Sequence, residues 1–574
     1  MLALIFAAGT ALLLGGYFFY ARRLERTMGV TGERETPAVT EYDGIDYVPA
    51  RTPILFGHHF SSIAGAGPIV GPVIAAMAFG WLPALAWIIV GTVLIGGVHD
   101  YSTLVLSIRH KARSIGEVAG AVVSPRAQKI LLSFIWLTLI YVLVVFVDLT
   151  AATFVTDGGV ATSSILYTFL ALLFGLSIYR LRVSSTLASF VFVPLVFVGI
   201  YVGQLLPIAP EAMRALGGAV GVADAGKVWS LILLGYCYLA SVTPVWILLQ
   251  PRDYLSSFLL FAAVLASAAG LLFGGFGIEY PAFTGFQAPI GPLFPVLFVT
   301  IACGAVSGFH SVISSGTTAK QLARERSAKT IGYGAMVAEG IVALIAVATV
   351  AMVAREGSIA AAYRGLTVTP VEVFSAGMGC FTEVFGIPAS LGAKFGGLAI
   401  STFLLTTLDT CTRLGRFLFH EFFGIRNLKA RYLSSLLVVA LPALFVFLPF
   451  YDATGRPVPA WKGIWPVFGS ANQLLAGLGL LVVFVWMRKQ GQRALWAAVP
   501  MVFMIAITLT SLGMSILSGT QTRLVVAIAA LLFLLGVVTI VLGIRALPRG
   551  FVPAPFAAAE PPAREAAARG REGR

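Results

Sequence analysis

Residues 56–80 read FGHHFSSIAGAGPIVGPVIAAMAFG. The stretch is apolar enough to cross a bilayer, yet Gly65, Gly67 and Pro68 fall in its middle. Pro68 cannot extend the preceding hydrogen-bond ladder but suits the first turn of a new helix. In lipid no backbone group can stay unsatisfied, so a break at mid-depth implies that the freed N–H and C=O groups face protein, water or a ligand. The spacing therefore predicts an unwound segment and a half-helix starting near Pro68. It is not a dinucleotide-binding fingerprint, because the glycines are spaced GxGxxxG and no strand precedes them.

Around this stretch the chain is 58% hydrophobic and only 11% charged over 574 residues, far from a soluble domain, in which roughly a quarter of residues are charged. Apolar stretches long enough to cross about 30 Å of hydrocarbon occur at 2–20, 54–80, 82–106, 130–155, 162–179, 184–206, 229–249, 254–275, 293–318, 331–354, 392–412, 432–450, 464–487, 495–518 and 524–544. The fold class predicted is an all-α polytopic membrane protein of about fifteen transmembrane helices. Residues 2–20 have no basic leader and run directly into ARRLER, so they read as a retained first helix.

The net charge of +14 could suggest nucleic acid, but its distribution points elsewhere. With the loop carrying Arg22, Arg23, Arg26, Arg34 and Arg51 on the cytoplasmic side, alternation puts roughly four-fifths of the 39 Lys and Arg inside. That asymmetry predicts an inner (plasma) membrane protein with its N-terminus outside and its C-terminus in the cytoplasm. The lipid bilayer is then its partner, and nucleic acid is not. Cys237, Cys303, Cys380 and Cys411 are far apart and show neither a disulfide framework nor thiolate metal spacing. No metal site or cofactor is expected.

Outside the spans, Thr369, Pro370 and Glu372 in the loop 355–391 form a T-P-x-E capping box that predicts a short helix or re-entrant segment. The tail 551–574, rich in Ala, Pro, Arg and Glu, is expected to be disordered.

A second interruption is expected in LLGYCYLASVTPVWILLQPRDY (233–254), where Ser241 and Thr243 precede Pro244 as an N-cap precedes a helix. It lies five stretches after the first, an odd number, as an inverted repeat requires. The predicted organisation is a first helix and loop over 1–53, repeat one over 54–206, repeat two over 229–419 and accessory helices over 432–546. Half-helix N-termini offer free N–H donors and partial positive charge to a carboxylate. The candidate substrate residues are His58, His59, Ser61, Ser62, Gly65, Ala66, Gly67, Ser241 and Thr243. Two proline kinks without a ligand are the competing reading.

The stretch FPVLFVTIACGAVSGFHSVISSGTTAKQL (294–322) is too polar for a lipid-facing helix and is expected to line a cavity. Its Ser314, Ser315 and Thr317 hydroxyls suit Na⁺, while His310 with His58 or His59 suits H⁺. Asp148 and Glu339 are costly at membrane depth and join the ion-coupling candidates, each with a structural ion pair or backbone contact as its alternative. Asp100, Arg252, Asp253 and Asp409 read as gating groups, with His99 and Asp100 expected in a solvated network at the cytoplasmic edge. His58 and His59 are adjacent, so on a helix their side chains diverge and do not readily share a metal.

Five strings resemble the carbon starvation protein A family: residues 43–72 (DGIDYVPARTPILFGHHFSSIAGAGPIVGP), 97–117 (GVHDYSTLVLSIRHKARSIGE), 248–255 (LLQPRDYL), 291–322 (GPLFPVLFVTIACGAVSGFHSVISSGTTAKQL) and 407–417 (TLDTCTRLGRF). The resemblance implies a five-plus-five inverted-repeat, LeuT-like core related to amino acid/polyamine/organocation transporters, with the broken first core helix at Gly57 to Pro68 and a polar core helix at Ser307 to Thr318. It also implies uptake of peptides or, by proton symport, of pyruvate. The function expected is a symporter for a small organic carboxylate such as pyruvate, coupled to H⁺ or Na⁺, with di- or tripeptide uptake as the alternative. A membrane-embedded enzyme or sensor is the reading from another class. No nucleophile–base pair, metal spacing or signalling domain supports it.

Overall fold

The computed structural model describes the chain except residues 45–46, 220, 245–246, 354–368, 426–429, 452–455, 519–521 and 549–574. The expected tail 551–574 and most of the loop before Thr369 lie outside the described residues. Among the described residues the chain is helical, apart from two ribbons of two-residue strands, Gln287–Ala288 with Gly291–Pro292 and Phe450–Tyr451 with Pro457–Val458.

Thirteen helices are continuous, long and apolar enough to cross a membrane, and a bent pair, Thr52–Ile63 with Gly67–Phe79, makes a fourteenth span with an angle of 46° at its break. The one remaining predicted stretch, 293–318, is no continuous helix. It forms two eight-residue helices, Leu293–Thr300 and Phe309–Gly316, separated by an unwound segment at 301–308. Gly304, Ser307 and Gly308 lie where the ladder stops, whereas Ser314 and Ser315 lie in the second short helix.

The second break therefore lies here and not at Pro244. Helix Ala225–Val242 simply ends at Thr243, whose hydroxyl donates back to Leu239 O at 2.6 Å instead of capping a new helix. The next helix begins only at Leu249. Arg413 Nη2 donates to the carbonyls of Ala240 and Thr243, and Arg416 Nη1 to that of Ser241, each at 2.8 Å. This is a helix C-terminus held by cations, opposite in sign to the N-terminus expected from sequence.

The two broken helices run antiparallel. The chain entering the first pairs with the chain leaving the second, through Val48 N–H to Lys320 O and Ala50 N–H to Gln321 O. At the other end Trp81 and Leu82 N–H reach Pro281 and Ala282 O, just before the second begins. The breaks meet where a Cβ on Gly67 would lie 2.3 Å from Cys303 Cβ, and one on Gly71 would lie 2.3 Å from Thr300 O. Glycine is required at Gly71 because backbone passes backbone, and at Gly67 because the Cys303 side chain fills the space.

Four helices surround this crossing: Ala460–Lys489, Lys329–Ala351, Pro125–Thr156 and Ala389–Phe423, whose apolar windows are 94%, 83%, 78% and 78% buried. Leu2–Thr27, Ser185–Leu205, Ala430–Phe447 and Arg523–Arg545, at 28%, form the periphery and expose residues such as Phe190, Leu195 and Leu534 where lipid replaces water. Helix Ala460–Lys489, an accessory helix by sequence, is the most enclosed of the thirteen continuous spans. The capping box appears as read: Thr369 Oγ1 accepts from Glu372 N–H, Glu372 accepts from Thr369 N–H, and Pro370 opens the helix Pro370–Glu383.

Gly71→Ala is expected to destabilise the purified protein by about 1–3 kcal/mol through overpacking against Thr300 O. Gly15→Ala, in open space, is expected to be neutral or slightly stabilising. Thermal unfolding in detergent compares the two, and equal melting would contradict the close crossing.

Candidate functional site

At the crossing, the unwound segment 301–308 takes its partners from helix Ala460–Lys489. Asn472 Oδ1 accepts from Phe309 N–H at 2.8 Å, its Nδ2 donates to Ser307 Oγ at 3.1 Å and Cys303 Sγ at 3.3 Å, and its carbonyl accepts from Gly308 N–H at 3.0 Å. Gln473 Nε2 donates to Phe298 O at 2.8 Å. Two amides thus satisfy backbone groups that the break would strand in a medium without water. Sequence reasoning passed over both, although an Asn-Gln pair inside GSANQLLAGLGLL is a visible signal. Between the breaks lies a narrow cavity lined by Gly65, Gly67, Phe146, Cys303, Thr407 and Asn472 among others.

Beside it runs a chain of ionisable groups from three helices, each fully buried. His99 Nδ1 lies 2.8 Å from Asp100 Oδ1, Asp100 Oδ2 lies 2.7 Å from His310 Nδ1, and His310 Nε2 lies 3.2 Å from Glu339 Oε2. His310 opens the second half-helix, Phe309–Gly316, so the break itself sets its position between the two acids. The expectation that His99 and Asp100 sit in a solvated edge network is overturned: both are 0% exposed. Asp100 belongs with His310 and Glu339 rather than with the gating groups. Buried ionisable groups in a membrane persist where they face one another or a pathway.

A second cluster joins the first broken helix to helices Ala225–Val242, Leu249–Phe273 and Ala389–Phe423. Arg252 Nη1 is bonded to Asp409 Oδ2 and to Tyr236 OH, and Tyr236 OH donates to Asp409 Oδ2 at 2.8 Å. Tyr167 OH donates to Arg252 O. Next to this pair, His58 Nδ1 lies 2.9 Å from Asp253 Oδ2. The neighbouring His59 diverges as expected and places Nδ1 2.8 Å from Thr318 Oγ1.

Other predicted residues are placed elsewhere. Asp148 makes the backbone contact that was its alternative: its Oδ2 accepts from Trp461 N–H at 2.9 Å, at the start of helix Ala460–Lys489, where a carboxylate complements the helix dipole. Ser241 pairs with Ser435 Oγ at 2.9 Å, and with Thr243 it lies away from the crossing. Ser61 and Ser62 donate back to His58 O at 3.2 and 2.8 Å, and Ala66 is buried at the N-cap of the second half. Ser315 donates to Ser311 O and accepts from Ile115 N–H, and Thr317 donates to Ile313 O. These two hydroxyls are engaged with backbone groups. Ser314 Oγ, buried next to them, has no partner among the described residues.

The chain matches a family model described as "Carbon starvation protein CstA" over residues 1–365 and 358–511. A protein of Escherichia coli (strain K12) named "Peptide transporter CstA" is 34% identical over 88% of this chain and 80% of its own length. Another from the same organism, named "Pyruvate/proton symporter BtsT", is 30% identical over 90% of this chain and 81% of its own. The crystal structure of a manganese transporter from Eremococcus coleocola aligns at a TM-score of 0.48 with 10% identity, covering 88% of this chain and 99% of that one.

Arg252→Met is expected to cost about 3–5 kcal/mol, because it leaves the Asp409 carboxylate buried without its partner. Arg252→Met with Asp409→Leu should recover much of that loss. Chemical or thermal unfolding of the two variants checks this, and a single variant as stable as the parent would remove Arg252–Asp409 as a structural pair.

Proposed function

The chain belongs to the carbon starvation protein CstA family and is a membrane transporter, and from that premise we propose that it imports a small organic carboxylate such as pyruvate together with a proton across the inner membrane. The observation that carries this reading is the buried chain His99–Asp100–His310–Glu339 beside the crossing of the two broken helices. Two carboxylates and two imidazoles without a Lys or Arg ion pair can trade protons among themselves. Placing another negative charge in so dry a neighbourhood is costly unless a positive charge accompanies it. A carboxylate arriving at the breaks and a proton arriving on the chain neutralise one another, and neither step is favourable alone.

In this reading the substrate sits between Gly65–Gly67 and the 301–308 segment, where the half-helix N-terminus at Gly67 gives it a positive dipole end. The repeats then start at the breaks themselves: 52–205 against 293–489. Each break is followed by a span containing a π-turn, Thr92–Gly96 in one and Lys329–Tyr333 in the other. A helix of 32 or 35 residues comes next. His58–Asp253 ties the first broken helix to helix Leu249–Phe273, Arg252–Asp409 ties that helix to Ala389–Phe423, and their opening would admit solvent on that side of the crossing.

A second reading, di- or tripeptide uptake, has the name of the Escherichia coli relative in its favour. With Asp148 engaged at Trp461 N–H, the partner left for a peptide's ammonium is Glu339. Inhibition of pyruvate uptake by dipeptides at similar concentrations would favour this alternative.

In proteoliposomes with an inward proton gradient, the protein is expected to accumulate labelled pyruvate. Glu339→Gln should keep pyruvate exchange at equal pH while lowering gradient-driven accumulation by about tenfold or more, the effect of losing one coupled proton step. Accumulation by Glu339→Gln equal to that of the parent would contradict the assignment of the proton to this chain.

A further inference from the structure

A second cavity lies not at the crossing but at the entry end of the first broken helix, where Lys320, Arg413, His58, Thr317, Gln321 and Phe417 line it. His58 precedes Gly65 by seven residues, so along the helix axis this vestibule stands about 10 Å from the break. Its ionisable lining is of one sign: Lys320, Arg413 and His58, with no carboxylate. Arg413 holds helix-end carbonyls, and His58 faces Asp253.

Lys320 is engaged differently. Among the described residues it forms no ion pair, and its ammonium stands 5.6 Å from the Tyr47 ring centre and 5.1 Å from that of Phe417. Glu421, the acid that feels its charge, accepts from Ser114 Oγ at 2.6 Å. Aromatic faces hold a cation by electrostatics while leaving its N–H donors without a strong acceptor.

We propose that this vestibule is a second substrate site, taking a small carboxylate on the face read as cytoplasmic, with Lys320 as the charge that recognises it. The proposal rests on the transport reading above and adds a substrate preference to it. One-signed walls concentrate anions. A carboxylate finds charge-assisted donors here. The ammonium end of a peptide finds no acid, so the site favours carboxylates that lack an amino group.

The test uses inside-out and right-side-out membrane vesicles carrying the full chain, with labelled pyruvate as probe. For Lys320→Gln, half-saturation on the basic face is expected to rise about tenfold, and on the opposite face to change less than about twofold, as loss of one charge-assisted contact implies. Lys320→Arg should restore most of the affinity. Unchanged half-saturation on the basic face, or an equal rise on both faces, overturns the proposal.

If Lys320→Gln fails to insert, Gln321→Cys in a Cys380→Ala background supplies a second readout, because the other native cysteines are buried. Pyruvate should slow labelling of that cysteine by an impermeant maleimide, and labelling indifferent to pyruvate refutes the site. Parent vesicles that carry no pyruvate in either orientation would instead refute the transport reading. Normal parent transport with an unaffected Lys320→Gln refutes this site alone.

Discussion

Hydrocarbon offers no water to a free N–H or C=O, and two helices in this protein are nevertheless broken at depth. The unwound segment at 301–308 persists because Asn472 and Gln473, on the most buried span, supply the partners that lipid cannot. The first break, at 64–66, is tighter. Ala64 N–H still reaches Phe60 O, Gly65 N–H reaches Ile63 O, and the next half-helix starts with Ile69 and Val70 bonded to Ala66 O. Because glycine lets the segments pass at Gly67–Cys303 and Gly71–Thr300, satisfying one break fixes the location of the other.

The charged groups follow from that crossing. His310 sits at the second position of the half-helix that follows the unwound segment, which carries its ring between Asp100 and Glu339. His58 and His59 sit on the half-helix before the other break and reach outward to Asp253 and Thr318. Ionisable side chains thus occupy both broken helices.

Much of the fold was legible because hydropathy and loop charge are local properties of the chain. The fifteen apolar stretches correspond to thirteen continuous helices, one bent pair and one interrupted pair. The first break was legible for the same reason: Gly65, Gly67 and Pro68 announce it in three residues. The Pro244 reading failed because Ser-x-Thr-Pro fits either a helix start or a helix end, and only Arg413 and Arg416, far along the chain, decide between them. Asp148 and Glu339 looked alike in sequence. One meets a helix N-terminus and the other a histidine, a difference set by tertiary packing alone.

The central claim is that the two breaks meet and that transport passes through their meeting point. Cys303, the native thiol that lines the cavity between the breaks, tests it most directly. The account predicts that a small membrane-permeant thiol reagent stops pyruvate transport by the parent and leaves transport by Cys303→Ala unaffected. Equal inhibition of the parent and Cys303→Ala, or a parent that transports at full rate with Cys303 fully modified as seen by mass spectrometry, would contradict it.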